Sequence, residues 1–105
     1  MTEGQFRCLN MMLSEGSINI LEEAKGGQIL SFKTLRSIIN PRTGKKYSSS
    51  TISKRLKELV EVGALEETPT SSQKGRIVGY RITNAGKKAL ALSYEYEEKL
   101  ESVLK

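Results

Sequence analysis

The sequence predicts an α+β fold, mostly helical, in which two successive helices are followed by a β-hairpin and one long closing helix. Three observations predict it. Apolar residues recur at helical spacing over residues 49 to 62, between a Ser/Thr cluster and Gly63. Alternation with a period of two replaces that spacing in "RIVGYRIT", residues 76 to 83. From Ala85 the helical spacing returns and runs to about Leu104, roughly 30 Å of helix.

The elements follow in order. Phe6, Leu9, Met12 and Leu13 are helically spaced over residues 4 to 13. Ser17 is placed to cap "INILEEAK", with Ile18, Leu21 and Ala24 on one face and Gly26 as the stop. Gly16 and Ser17 leave open whether these segments are two helices or one bent helix. Ile29 and Leu30 suit a very short strand. Ser31 caps a helix over "FKTLRSII", with Phe32, Leu35, Ile38 and Ile39 as its apolar stripe, ended by Asn40-Pro41 because a residue before proline avoids the α region. "NPRTGKKYS" is an irregular loop with a Thr43-Gly44 turn. "ALEETPT" is a strand ending at Pro69, "SSQKG" a polar turn, and "RIVGYRIT" directs Val78, Tyr80 and Ile82 to one face. Thr83 or Asn84 then caps the last helix. A hairpin directly after two helices makes a winged helix-turn-helix. Its recognition helix spans about 49–62 and its wing about 65–82, in a domain of residues 1–83 followed by a dimerisation helix at 84–105.

The totals suit one small domain. The chain has 105 residues, 37% hydrophobic and 28% charged, which favours a globular domain over a disordered chain. No apolar run approaches the roughly 18 residues that cross a bilayer. "MTEGQFRCLNMML" lacks a signal-peptide core, so a cytoplasmic protein without membrane association is expected. The lone Cys8, near Phe6 and Leu9, is expected to be a small core residue. There is no His, Asp or Trp, which excludes a Ser-His-Asp triad and any His-containing zinc site. No phosphate-cradling glycine motif is present. Neither an enzyme nor a cofactor is expected, and the sequence identifies no small-molecule effector.

The net charge is +5, and its distribution matters more than its size. Lys25, Lys33, Arg36, Arg42, Lys45, Lys46, Lys54, Arg55 and Lys57 fall within residues 24–57, a window without a single acid. Residues 84–105 carry four Lys and four Glu. Such asymmetry makes the first region a polyanion surface. On a helical wheel, Ile52, Leu56, Leu59, Val60 and Val62 define the buried side of the recognition helix. Ser50, Ser53, Lys54 and Lys57 occupy the opposite side. Short hydroxylated residues allow close approach to a major groove, and Lys neutralises phosphate or donates to guanine. Lys33 and Arg36 on the preceding helix, Arg42, Lys45 and Lys46 in the loop, and Lys74 and Arg76 around the wing tip are candidate phosphate contacts.

"STISKRLKELVEVGALEE", a Lys/Arg-bearing wing and "GYRITNAGKKAL" resemble the winged helix-turn-helix transcriptional regulators of the MarR, PadR and HxlR type, over roughly residues 17–92. "LSFKTLRSII" is similar to their preceding helix. The resemblance implies binding to double-stranded DNA, usually as a homodimer. By motif match it places base contacts on Ser49, Ser50, Thr51, Ser53, Lys54 and Lys57, and wing contacts on Lys74 and Arg76. The link "NPRTGKKYS" is longer than the family's usual tight turn. The absence of Asp beside many Lys and Glu points to a thermophilic, archaeal source.

Leu92, Tyr96, Leu100 and Val103, spaced four, four and three apart, form a stripe on the last helix that suits a partner helix in a homodimer, with Phe6 to Leu13 available to join it. Leu90 and Tyr94 are expected to pack on the domain or widen the stripe. Three functions fit: a sequence-specific regulator, most simply a repressor; an architectural DNA-binding protein of low specificity; and a winged-helix module for protein contacts.

Overall fold

The computed structural model describes residues 6–69 and 78–105. In chain order the elements are α1 (Arg7–Leu13), α2 (Ser17–Ala24), β1 (Leu30–Ser31), α3 (Phe32–Leu35), α4 (Ser49–Glu61), β2 (Leu65–Pro69), β3 (Val78–Ile82) and α5 (Asn84–Leu104). The strands form one antiparallel sheet ordered β1-β3-β2, with Leu30 opposite Tyr80 and Leu65 opposite Ile82. Helices first, then a hairpin, then a long helix: this is the mostly helical, winged-helix α+β fold expected from the sequence.

The core forms where the apolar sides of these elements converge. Ile20, Leu21 and Ala24 of α2 meet Leu35, then Ile52, Leu56 and Leu59 of α4, with Leu65, Ile82 and Leu90 closing the other side. Burying an aliphatic side chain of this kind contributes about 1.5–3 kcal/mol. The apolar side read for α4 is therefore the buried one. Val62 departs from it and is exposed, because α4 ends at Glu61 and the chain turns away through Gly63 at a φ of 83°.

Other departures have local causes. The N-terminal segment is two helices, separated by Gly16 at a φ of 93°. Gly16, not Ser17, precedes α2. Ser17 is fully buried, and its hydroxyl donates to the Met11 carbonyl at 2.8 Å, closing the elbow between α1 and α2. After α2 the left-handed residue is Gly27 rather than Gly26, and its N–H bonds to the Ala24 carbonyl at 3.0 Å. Cys8 is exposed rather than in the core, because α1 lies outside and only Met11 and Met12 lean on the interior. β1 lies one residue later than expected, leaving Ile29 exposed. Along β3 only Ile82 is buried as expected. Tyr80 is half-buried, and Val78 is exposed opposite Pro69 at the distal end of the pair.

The largest difference is α3, which stops at Leu35 instead of Ile39. Ser31 caps it as expected, accepting from the Thr34 N–H at 3.1 Å. Ile38 and Ile39 leave the helix for another set of hydrogen bonds. Ile39 bridges Lys46, the Asn40 N–H donates to the Lys45 carbonyl at 2.8 Å, and the Tyr47 N–H to the Ile38 carbonyl at 3.3 Å. The link before α4 is thus a narrow hairpin-like loop.

At the far side, Thr83 caps α5, accepting from the Gly86 N–H at 3.0 Å. The Thr83 hydroxyl and N–H both return to the turn after α4, at the Gly63 carbonyl (2.5 Å) and the Ala64 carbonyl (3.0 Å). Gly86 lies against that turn: a Cβ there would come 2.1 Å from the Ala64 carbonyl oxygen. Beyond Leu90, α5 leaves the core, and the molecule extends 53 Å along one axis against 29 and 28 Å across.

Candidate nucleic-acid interface

The candidate interface is centred on α4. Ser48 starts the helix, its hydroxyl accepting from the Thr51 N–H at 3.1 Å, a cap worth about 1 kcal/mol. The Ser48 hydroxyl also donates to Thr51 Oγ1 at 2.8 Å and lies 3.3 Å from that of Ser50. The first of the serines is thus structural, and Thr51 is half-buried beside it. Ser49, Ser50, Ser53, Lys54 and Lys57 are exposed, opposite the buried Ile52, Leu56 and Leu59. The helix dipole adds partial positive charge at the serine end.

Arg55 is not part of this exposed set. Its Nε donates to the Glu15 carbonyl at 3.0 Å and its guanidinium pairs with Glu58. One of the nine cations of the acid-free window therefore anchors α4 to the α1–α2 elbow. The i, i+3 spacing of Arg55 and Glu58 was the sequence signal for half of that role.

Lys33 is exposed on α3, whereas Arg36 lies just past the end of that helix. Arg42, Lys45 and Lys46 are exposed on the loop that leads into Ser48. None of Lys33, Arg36, Arg42, Lys45, Lys46, Lys54 and Lys57 pairs with a glutamate among the described residues. Ion pairs form elsewhere: Glu66 with Arg81 across β2 and β3 at 2.8 Å, and Lys99 with Glu95 along α5 at 3.0 Å. Lys74, Arg76 and the expected wing turn lie outside the described residues.

Sequence reasoning missed the residues that shape the loop. Asn40 is only 6% exposed. Its Oδ1 accepts from the Arg42 N–H at 2.9 Å, and its carbonyl accepts from the N–H groups of Thr43 (3.2 Å) and Gly44 (2.8 Å). Its Nδ2 donates to Glu15 Oε1 at 2.8 Å. The "NPRTG" run carries the local part of this signal, an Asn whose side chain folds back on its own turn. Glu15 has none, being 25 residues away. Tyr47, buried next to the loop, donates to Asn19 Oδ1 at 2.8 Å. Burial raises the pKa of its phenol above 10.0, Glu15 adds to the rise, and Arg42 partly offsets it.

Among the described residues no group of acids, Cys or His is arranged to hold a metal, and no helix is long and apolar enough to cross a membrane. The described cavities are open surface hollows, one of about 350 Å³ between Glu23 and the Lys33–Ile38 segment.

No protein-family model and no curated protein sequence matches the chain at a significant level. Solved structures do match it. A candidate transcriptional regulator of Thermoplasma acidophilum superposes with a TM-score of 0.69 at 23% identity, over 93% of this chain and 91% of that one. A candidate HxlR family transcriptional factor of Thermoplasma volcanium superposes at 0.64 and 22% identity, over 96% and 87%. The likeness covers nearly the whole chain, and it is a likeness of fold.

Proposed function

We propose that the chain is a DNA-binding transcriptional regulator, most simply a repressor, that grips duplex DNA as a homodimer. The observation that carries this reading is the outer side of α4. Five exposed residues, Ser49, Ser50, Ser53, Lys54 and Lys57, share a helix whose inner side is locked into the core. A helix anchored in the core this way, bearing short hydroxyls and lysines that pair with no glutamate among the described residues, is suited to a major groove. The hydroxyls permit close approach, and the ammonium groups meet phosphate or guanine. Lys33, Arg36, Arg42, Lys45 and Lys46 would hold the flanking backbone, and Lys74 and Arg76 the adjacent minor groove or its phosphates. The two similar structures, both candidate regulators, support the same reading.

The homodimer rests on α5. Leu92, Tyr96, Leu100 and Val103 are 55%, 59%, 48% and 78% exposed, a wet apolar stripe on the part of α5 beyond the core. Phe6, Leu9 and Leu13 of α1 are exposed as well. A partner's α5 covers the stripe, which makes residues 84–105 the dimerisation segment and residues 1–83 the reading domain. Two recognition helices about 34 Å apart would then meet successive major grooves of a near-palindromic site.

The test titrates labelled genomic fragments against random duplex of equal length. A regulator gives a specificity ratio well above ten. A ratio near one makes the chain an architectural protein. No binding at ~50 mM salt, where phosphate contacts are strongest, makes the winged helix a protein-contact module.

A further inference from the structure

The loop before α4 carries three exposed cations, and its shape is set by its own bonds and by one contact from outside it. Asn40 closes the turn with its backbone and with Oδ1, and hands its remaining donor, Nδ2, to the Glu15 carboxylate. Glu15 belongs to the elbow between α1 and α2, and its backbone carbonyl holds Arg55 of α4. One residue therefore grips the basic loop with its side chain and the recognition helix with its main chain.

We infer that Glu15 and Asn40 are the positioning pair that sets Arg42, Lys45 and Lys46 against the DNA backbone in register with α4. The inference rests on the DNA-binding reading and deepens it. A loop of exposed lysines and a glycine loses conformational entropy when it docks on phosphate. Fixing it beforehand removes that cost. The loop's own bonds close it on itself, and the Glu15 contact is what ties it to the elbow that also holds α4. An anion beside a DNA-binding surface is by simple charge unfavourable, so its presence calls for a compensating role. The hydrogen bond to the buried Asn40 supplies one.

Charge and positioning predict opposite signs, which makes the experiment decisive. Glu15→Ala removes a negative charge from the DNA side. If the carboxylate does nothing else, DNA affinity stays level or rises. If it positions the loop, affinity falls by about 5–30-fold at ~100 mM salt, and the salt slope drops by one to two units as loop cations leave their phosphates. Asn40→Ala falls by a similar factor, and the double variant falls little further, because both changes release the same loop. Glu15→Gln keeps an acceptor for Asn40 Nδ2 and binds as tightly as the wild type or tighter. Thermal unfolding of each variant separates a loss of fold from a loss of positioning: a general loss of stability would not lower the salt slope of the folded protein. Glu15→Ala and Asn40→Ala with wild-type slopes, or with level or higher affinity, overturn the inference alone. A wild-type chain that binds no duplex overturns the DNA-binding reading, and this inference with it.

Discussion

Helices α4 and α5 are both amphipathic, and they differ in which side is left in water. The core takes the apolar side of α4, Ile52, Leu56 and Leu59, and its hydroxyls and lysines stay outside. The core takes only Gly86 and Leu90 of α5, and an apolar stripe stays outside. A polar surface whose lysines pair with no glutamate among the described residues suits a polyanion. An apolar surface on a helix that outruns its own core suits another copy of the same helix. The two sides thus imply partners of opposite chemistry, and they are mechanically joined where Thr83 and Gly86 press on the Gly63-Ala64 turn.

Breaking that joint has the largest expected effect. Gly86→Ala would push a methyl group into the Ala64 carbonyl, where a Cβ lies at 2.1 Å, and into Ile82 Cγ1 at 2.8 Å. Backbone cannot yield as a flexible side chain does. The expected loss is about 3 kcal/mol or more in urea unfolding, or a chain that does not fold. A stability within 0.5 kcal/mol of wild type, roughly the level of a neutral surface change, would mean that the two helices are not coupled there.

The next test separates the helices. Tyr96→Glu places a charge in the α5 stripe and should give monomers in sedimentation, while leaving the far-UV spectrum and the core intact. DNA affinity should fall by a hundredfold or more, since two linked contacts become one. An unchanged dimer would rule out the seam drawn along α5. On the α4 side, Lys54→Ala or Ser53→Ala should relax preference at particular base pairs by about 1–3 kcal/mol and leave the dimer untouched. Lys74→Ala, in the turn expected from the sequence to be the wing, should weaken all sequences alike and lower the salt slope by about one unit. Binding measured across a panel of single-base variants distinguishes these outcomes, and the reverse pattern would exchange the roles of helix and wing.

The sequence made α4 and α5 legible because both are long, periodic and locally capped. The spacing from Ile52 to Leu59, the stop at Gly63 and the cap at Thr83 are local signals, and the structure keeps all of them. What stayed hidden depends on distant residues. Ile38 and Ile39 continue a helical spacing, but the loop's own bonds and the Asn40–Glu15 contact hold them out of α3. Ser17 resembles a cap, but the elbow turns its hydroxyl inward to Met11. Cys8 resembles a core residue, but α1 lies outside the core. The candidate side chains of α4 were read from one wheel, whereas the carbonyl that holds Arg55 lies 40 residues earlier and leaves no local signal. Local order was visible, and the contacts that aim it were not.

The smallest effect compares a phenol from each region. Tyr47, beside the start of α4, has its pKa raised chiefly by burial, with Glu15 adding to the rise and Arg42 opposing it. Tyr94, on α5, has its pKa raised chiefly by the hydrogen bond it donates to Glu22 at 2.8 Å, then by burial and the Glu22 charge. In both cases the folded chain holds the proton more tightly than the unfolded chain. Each contribution is therefore complete below about pH 10, the unfolded value, and is lost as pH rises through the higher folded value. Tyr47→Phe should cost about 1 kcal/mol at neutral pH, because it removes a hydrogen bond in a buried setting and leaves Asn19 Oδ1 unpaired. It should also flatten the fall in stability above pH 10. Tyr94→Phe should cost less at neutral pH, since the bond to Glu22 is exposed. Its alkaline profile should flatten too, and more so in a dimer that brings α5 out of solvent. Urea unfolding of the two variants between pH 8 and 11.5, a window of roughly 1.5–2 units around the ordinary tyrosine value, reads both effects. A Tyr47→Phe profile parallel to wild type throughout would show that burial at the base of α4 does not hold that proton.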